Sequence, residues 1–277
     1  SSSVNMSAAR KINLSFVSNF IRARTPLQLG AVAAGVSALA VAGYYLSPYL
    51  RIGRSYVQAW FLSMFYGTKE ERLLKYIQQN AEQGNAKSVI DTIDQWCWTT
   101  QWMMNVGNVK GLILDTEVEK AKPMVAVELG GYCGYSAVRI GRLLPEGAKF
   151  YSIEISPVHA AIATQVIKFA GLQDKCQVLV GGSSDVLKEF RAKTGQQHVD
   201  LFFIDHAKSL YLHDLKLIEE LGLLKSGSVI VADNVITPGA PDYLAYIRAN
   251  LRFKSAFYES NLEYSNAVDG VEVSVYQ

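Results

Sequence analysis

The chain has 277 residues, 49% of them apolar and 11% aromatic, which excludes an intrinsically disordered protein and leaves ample material for a core. Its formal charge of +2 hides two unlike parts: residues 1–69 carry seven basic side chains (Arg10, Lys11, Arg22, Arg24, Arg51, Arg54, Lys69) and no acidic one, and the rest sums to −5. That negative balance argues against nucleic acid as a partner of the larger part, and Cys97, Cys133 and Cys176 lack the spacing of a zinc site or a disulfide framework.

In chain order, residues 1–26 form a basic segment in which Ile12, Leu14, Phe16, Val17, Phe20 and Ile21 interrupt polar residues. A mitochondrial transit peptide has the same look, and Ala38-Leu39-Ala40 offers a small-x-small cleavage pattern as a second alternative. Residues 27–50 contain no charge and lie between Arg24 and Arg51. As a helix those 24 residues reach about 36 Å, enough to cross a hydrocarbon core, so a single transmembrane helix is expected here. Tyr44, Tyr45 and Tyr49 cluster at one end, suited to the interface, where Pro48 is expected to break the helix. The aromatic stretch 51–67 is expected to lie against the headgroups as a linking collar. These features predict a single-pass membrane protein of the endoplasmic reticulum or plasma membrane, with a mitochondrial location as the alternative, and make the lipid bilayer a partner.

From residue 68 to 277 the pattern is that of a soluble domain. Thr68-Lys69-Glu70-Glu71 has capping-box form ahead of a helix, and two more helical stretches come next, SVIDTIDQWCWTTQWMM and VKGLILDTEVEKAK, the latter stopped by Pro123. Then the apolar runs MVAVEL, KFYSIEI, CQVLVG, VDLFFID and SVIVADN alternate with helical patterns, as parallel strands covered on both faces do. FKSAFYES and GVEVSVYQ, joined by a short loop, fit an antiparallel pair at one edge. The fold class is α/β, a doubly wound sheet.

Ligands of such sheets sit beyond the carboxyl ends of the strands. Those ends carry Glu128 with a glycine turn running to Gly134 and Ser136, then Glu154, then Gly181-Gly182-Ser183-Ser184-Asp185, then Asp205-His206-Ala207-Lys208, then Asp233-Asn234. A glycine turn followed by an acid on the next strand is a nucleoside-binding arrangement. Tyr132 occupies the place where a dinucleotide fingerprint needs its second glycine, and Glu128 at the mouth of the turn would repel a pyrophosphate but favour a sulfonium. S-adenosylmethionine fits better than NAD.

Through MNVGNVKG, ELGGYCGYSAVR, FAGLQDK, DHAKSLYL, ADNVITPGAPDYLAYIR and LEYSNAVDG, the chain from about Gly67 onward resembles the catechol O-methyltransferases. The resemblance implies a Rossmann-like S-adenosylmethionine-dependent methyltransferase fold, a mostly parallel seven-stranded sheet with a reversed final strand. It implies that Glu154 holds the ribose and that Met104, Val106, Glu128, Tyr132, Ser136, Ser183, Asp205 and His206 line the cofactor site. Asp205, Asp233 and Asn234 match the Mg²⁺ ligands and Lys208 the general base. Glu263 matches the acid holding the second catechol hydroxyl, and Trp102 and Pro238 match the walls around the acceptor ring, whose site also includes Lys208 and Asn234. The family commonly has Trp where this chain has Ala207, which opens the pocket and leaves substrate identity less fixed than reaction type.

The chemistry supports the same reading. Two carboxylates and an amide are hard oxygen ligands suited to Mg²⁺. A phenol ionises at pH 7 only against a deficit of roughly 4 kcal/mol, which chelation by a Lewis acid offsets. The expected function is therefore magnesium-dependent transfer of a methyl group from S-adenosylmethionine to a catechol hydroxyl, by a catalytic domain expected to be monomeric. The alternatives are a bulkier vicinal diol as acceptor, or a noncatalytic membrane-bound relative serving as an interaction or chaperone protein.

Overall fold

A computed structural model describes residues 26–277, with side-chain detail from Gly43 onward apart from Tyr44, Tyr45 and Pro48. Two compact units divide the chain, residues 1–47 and Pro48–Gln277. The expected basic segment lies outside the described residues, as do most side chains of the expected span. Among the described residues no helix is long and apolar enough to cross a membrane. Helix α1 runs Pro26–Tyr66, so the break expected at Pro48 is absent. A proline inside a helix removes one donor and bends the path without having to end it.

Over 51–67, where a collar against the headgroups is expected, the chain is helical and one face of the helix docks on the domain. Arg51, Ile52, Ser55, Ala59 and Leu62 recur at helical spacing and are shielded, while Val57, Trp60, Phe61, Met64, Phe65 and Tyr66 on the other faces are exposed. Hydrogen bonds from the inner face fix it to the domain, so polar capture rather than lipid contact accounts for that side.

Thr68 then caps α2 (Lys69–Asn80) with the expected reciprocal bonds, Glu71 N to Thr68 Oγ1 at 3.2 Å and Thr68 N to Glu71 Oε2 at 2.8 Å. Helix α3 (Ala86–Thr99) stops short of the Trp-Met-Met stretch expected to continue it. The amide of Gln101 is captured instead by the Ser55 carbonyl at 2.9 Å and by Arg72 at 2.6 Å, which holds 101–106 as an irregular segment. Helix α4 (Gly107–Ala121) comes next and ends before Pro123.

The seven strands are β1 (Val125–Leu129), β2 (Lys149–Glu154), β3 (Cys176–Val180), β4 (Leu201–Ile204), β5 (Val229–Ala232), β6 (Phe253–Asn261) and β7 (Val268–Tyr276). They lie in the order β3-β2-β1-β4-β5-β7-β6. The first five are parallel, and β7 enters antiparallel to both β5 and β6, as the reversed final strand requires. Consecutive residues point to opposite faces: Phe203 and Val231 join one core layer, Phe202 and Ile230 the other. Helices α5 (Tyr135–Leu143), α6 (Pro157–Phe169), α7 (Ser183–Thr194), α8 (Tyr211–Glu220) and α9 (Pro241–Ala249) complete the winding. Strand order reverses between β1 and β4, which opens a crevice beyond their carboxyl ends.

Candidate active site

A cavity of about 920 Å³ occupies that crevice. Its floor depends on the glycine turn after β1. Gly130 adopts φ 100°, and a Cβ there would come within 2.4 Å of the Asp205 carbonyl oxygen, so β1 and β4 approach this closely only without a side chain. Tyr132 is also left-handed, with φ 41°. Its backbone N–H donates to Glu154 Oε2 at 2.8 Å and its hydroxyl to Glu70 Oε1 at 2.7 Å. Glu154 Oε1 accepts from Ser156 N at 2.8 Å. These two bonds aim the Glu154 carboxylate and leave it further lone pairs for a ligand's hydroxyls.

Glu128, at the end of β1, is fully buried behind the wall. Its Oε2 accepts from Ser152 Oγ at 2.5 Å, and its Oε1 has no partner among the described residues. Farther along the rim, Asp214 gathers the Ser183 hydroxyl at 2.5 Å, the Ser184 hydroxyl at 2.6 Å and His206 Nε2 at 2.8 Å. Burial opposes ionisation of Asp214, but those hydrogen bonds win and hold its carboxyl below the ordinary value. His206 stacks on Tyr211 with ring centroids 5.2 Å apart, an orienting arrangement.

The other end of the cavity is a buried charge cluster. Lys208 Nζ donates to Asp205 Oδ1 at 3.0 Å and to the Tyr211 hydroxyl at 2.5 Å. Lys110 Nζ, fully buried, lies 2.8 Å from Asp233 Oδ1, 2.7 Å from Asp269 Oδ2 and 3.5 Å from Glu263 Oε2. Asn234 Nδ2 donates to Asp269 at 2.8 Å, which turns its amide oxygen the other way. Burial pushes the Asp233 carboxyl up to about 7, against the pull of Lys110. Glu263 is pushed up by burial as well, again opposed by Lys110. Trp102 Nε1 donates to the Glu263 carbonyl at 3.3 Å, joining the wall residue to the acid.

Among the described residues no group of three or more His, Cys, Asp or Glu side chains converges as a metal site. The expected set needs only two carboxylates and an amide, so its fit rests on the individual groups. Both Asp233 carboxylate oxygens are buried without a hydrogen bond among the described residues, although Lys110 is close enough to one for an ion pair. A buried carboxylate with unused lone pairs, beside Asp205 and a free amide oxygen, is a donor set suited to a hard divalent cation.

Most of the expected residues therefore meet at one cavity: Trp102, Met104, Tyr132, Ser136, Glu154, Ser183, Asp205, His206, Lys208, Asn234, Pro238 and Glu263 line it. Val106 does not; it is buried in the core at the start of α4. Glu128 and Asp233 stand behind the wall. Sequence reasoning missed Lys110, Asp214, Tyr211 and Asp269, and the contribution of Ile52 and Tyr56 to the wall.

The O-methyltransferase family profile matches residues 85–242, more than half of the chain. The chain belongs to the O-methyltransferase family. Catechol O-methyltransferase of Mus musculus is 49% identical over 211 residues, 76% of this chain and 80% of that one. Catechol O-methyltransferase of Bos taurus is 42% identical over 260 residues, 91% of this chain and 95% of that one. The solved O-methyltransferase from Bacillus cereus in complex with SAH is 22% identical, with a TM-score of 0.59 covering 80% of this chain and 97% of that chain, and shares the fold. The resemblance read from the sequence thus holds, and the enzyme class is S-adenosylmethionine-dependent O-methyltransferase.

In this methyltransferase, burial pushes the Glu128 carboxyl up to about 8 from an ordinary 4.5, even though the Ser152 hydroxyl donates to it. A folded-state value above the unfolded one means that the native state keeps a proton the unfolded chain has released. The contribution of Glu128 to stability is then present below about pH 4.5 and is lost as pH rises through about 8. Thermal melts of the ligand-free protein at pH 5 and pH 8 are expected to show Glu128→Gln gaining on the wild type at the higher pH. A difference between the two that does not change with pH would remove Glu128 as its source.

Proposed function

We propose that the chain transfers the methyl group of S-adenosylmethionine to one hydroxyl of a catechol, with Mg²⁺ at Asp205, Asp233 and Asn234, while anchored to a bilayer through residues 27–50. The observation that carries this reading is a single cavity with an aimed carboxylate, Glu154, at one end and a lysine, an amide and two more carboxylates at the other. The names of the relatives at 42–49% identity agree with a catechol acceptor.

Glu154 accepts hydrogen bonds from the ribose hydroxyls, in the orientation set by Tyr132 N and Ser156 N. Glu128 stands behind the wall with its carboxyl pushed up to about 8, so near neutral pH it faces the donor as an uncharged acid and does not attract the sulfonium by charge. When bound, Mg²⁺ supplies the Lewis acidity that offsets the roughly 4 kcal/mol cost of ionising a phenol at pH 7. Lys208, fixed by Asp205 and Tyr211, is the group positioned to take the acceptor proton. Glu263 takes the second hydroxyl, and Trp102 and Pro238 confine the ring, so that the acceptor oxygen is held for attack on the methyl carbon. Ala207 on the same wall leaves room for substituted catechols. Bulkier vicinal diols are the second reading, favoured by that opening alone. A noncatalytic role is disfavoured, because the whole expected constellation except Val106 is retained at or behind the wall of one cavity.

Support for the anchor comes from the charge-free stretch 27–50 and from the exposed Trp60, Phe61 and Phe65 beyond it on the same helix. Carbonate-washed membranes carrying the full chain are expected to methylate catechol, to lose that activity on EDTA treatment and to regain it with Mg²⁺. Activity recovered only in the wash would sink the anchor. Turnover unaffected by EDTA would sink the metal assignment, and no turnover on any catechol would sink the substrate class.

A further inference from the structure

The helix preceding the catalytic domain is built into the acceptor end of the cavity. Ser55 is buried, its carbonyl taking the Gln101 amide at 2.9 Å, one residue before Trp102. Arg51 reaches in two directions, donating to the Tyr264 carbonyl at 2.7 Å and to the Cys97 and Trp98 carbonyls at 3.0 Å each. The first carbonyl adjoins Glu263; the other two close the helix that leads to Trp102. One guanidinium thus ties together the two segments that carry the acceptor walls. On the same helix face Ile52 and Tyr56 line the cavity. The Tyr56 ring lies 6.0 Å from the Trp102 ring at 52°, within the range of favourable aromatic contact. Lys69 Nζ, 5.2 Å from the Tyr56 centroid and 5.7 Å from that of Trp102, braces both rings.

Tyr56 is 52% exposed, so it stands at the mouth of the cavity rather than in its depth. A bare catechol bound between Trp102 and Pro238 needs little from the mouth, whereas a ring substituent projecting outward has to pass it. Ala207 contributes almost no apolar area to the wall, so at the mouth Tyr56, with Trp102 beside it and Tyr132 on the other side of Lys69, offers aromatic surface to such a substituent.

We propose that Tyr56, from the carboxyl-terminal part of α1, is a specificity-determining residue that selects acceptors carrying an aromatic or bulky apolar arm. This rests on the proposed catechol methylation and deepens it. The test uses the full chain in detergent with Mg²⁺, comparing catechol with 4-phenylcatechol as acceptors and measuring S-adenosylmethionine affinity by calorimetry. Tyr56→Ala is expected to raise KM for 4-phenylcatechol about three- to tenfold with kcat nearly unchanged. KM for catechol and the calorimetric affinity should stay within about twofold, and Tyr56→Phe should restore wild-type selectivity, because the ring face rather than the hydroxyl makes the wall. Unchanged discrimination in Tyr56→Ala, an equal rise for both acceptors, or loss of S-adenosylmethionine binding along with activity would each overturn the proposal while leaving catechol methylation standing. Inactivity of the wild type on both acceptors would overturn the functional reading, and this inference with it.

Discussion

Asp205→Ala is expected to lower turnover of a catechol by about 10³-fold, equivalent to about 4 kcal/mol of transition-state stabilisation, and to leave S-adenosylmethionine binding within about threefold of wild type. The asymmetry comes from how Asp205 is held. Its backbone N–H donates to the Leu129 carbonyl at 2.9 Å, so the turn that faces Gly130 keeps its place when the side chain is cut back. What is lost is the carboxylate, which holds Lys208 at 3.0 Å and completes the oxygen set with Asp233 and Asn234. Asp205→Asn separates the two roles: the amide oxygen still accepts from Lys208, but the charge that attracts a divalent cation is gone. Steady-state rates over a Mg²⁺ titration, with calorimetry of the donor, read both quantities. Wild-type turnover in Asp205→Ala at any Mg²⁺ concentration would remove this residue from the metal site and from the reaction.

The strand ends were legible because a parallel sheet leaves a simple record. Its strands are short runs apolar on both faces, and the residues just after each run lie at the carboxyl rim where ligands bind. Glu154, Asp205, Asn234 and the glycine turn could be placed from that record alone, and the family resemblance added Trp102 and Glu263. The groups that were missed come from places with no such record. Lys110 belongs to a helix, where a lysine ordinarily marks the solvated face; here it is fully buried among three carboxylates contributed by the end of β5, the loop after β6 and β7. Asp214 and Tyr211 lie on α8, and only the turn of that helix over the rim brings them to Ser183, His206 and Lys208. Tyr56 read as one aromatic in an interfacial stretch, since nothing in 51–67 announces that Arg51 and Ser55 will find partners in segments 46 to 213 residues away. The helix expected to include Trp102 failed for a related reason: Gln101 makes tertiary hydrogen bonds that local periodicity does not contain.

Lys110→Met is expected to be the most destabilising single change near the site. Burial works against the ammonium, but Asp233, Glu263 and Asp269 outweigh it and hold Lys110 above its ordinary value, so it is charged throughout the physiological range. Methionine preserves most of the volume and removes the charge. Asp233 and Asp269 then remain fully buried with no cation at 2.7–2.8 Å, and Glu263 loses its neighbour at 3.5 Å. Removing one partner from a buried ionic cluster costs about 3–5 kcal/mol, which for a domain of this size lowers the melting temperature on the order of 10 °C. Part of that loss is recoverable. A cation bound beside Asp233 neutralises the same carboxylate that Lys110 serves, so millimolar Mg²⁺ should raise the melting temperature of Lys110→Met by more than that of the wild type. Differential scanning calorimetry with and without Mg²⁺ measures both effects. A melting temperature within about two degrees of wild type would show that the three carboxylates are neutral or hydrated in the native state. Equal Mg²⁺ shifts in the two proteins would place the cation away from Asp233.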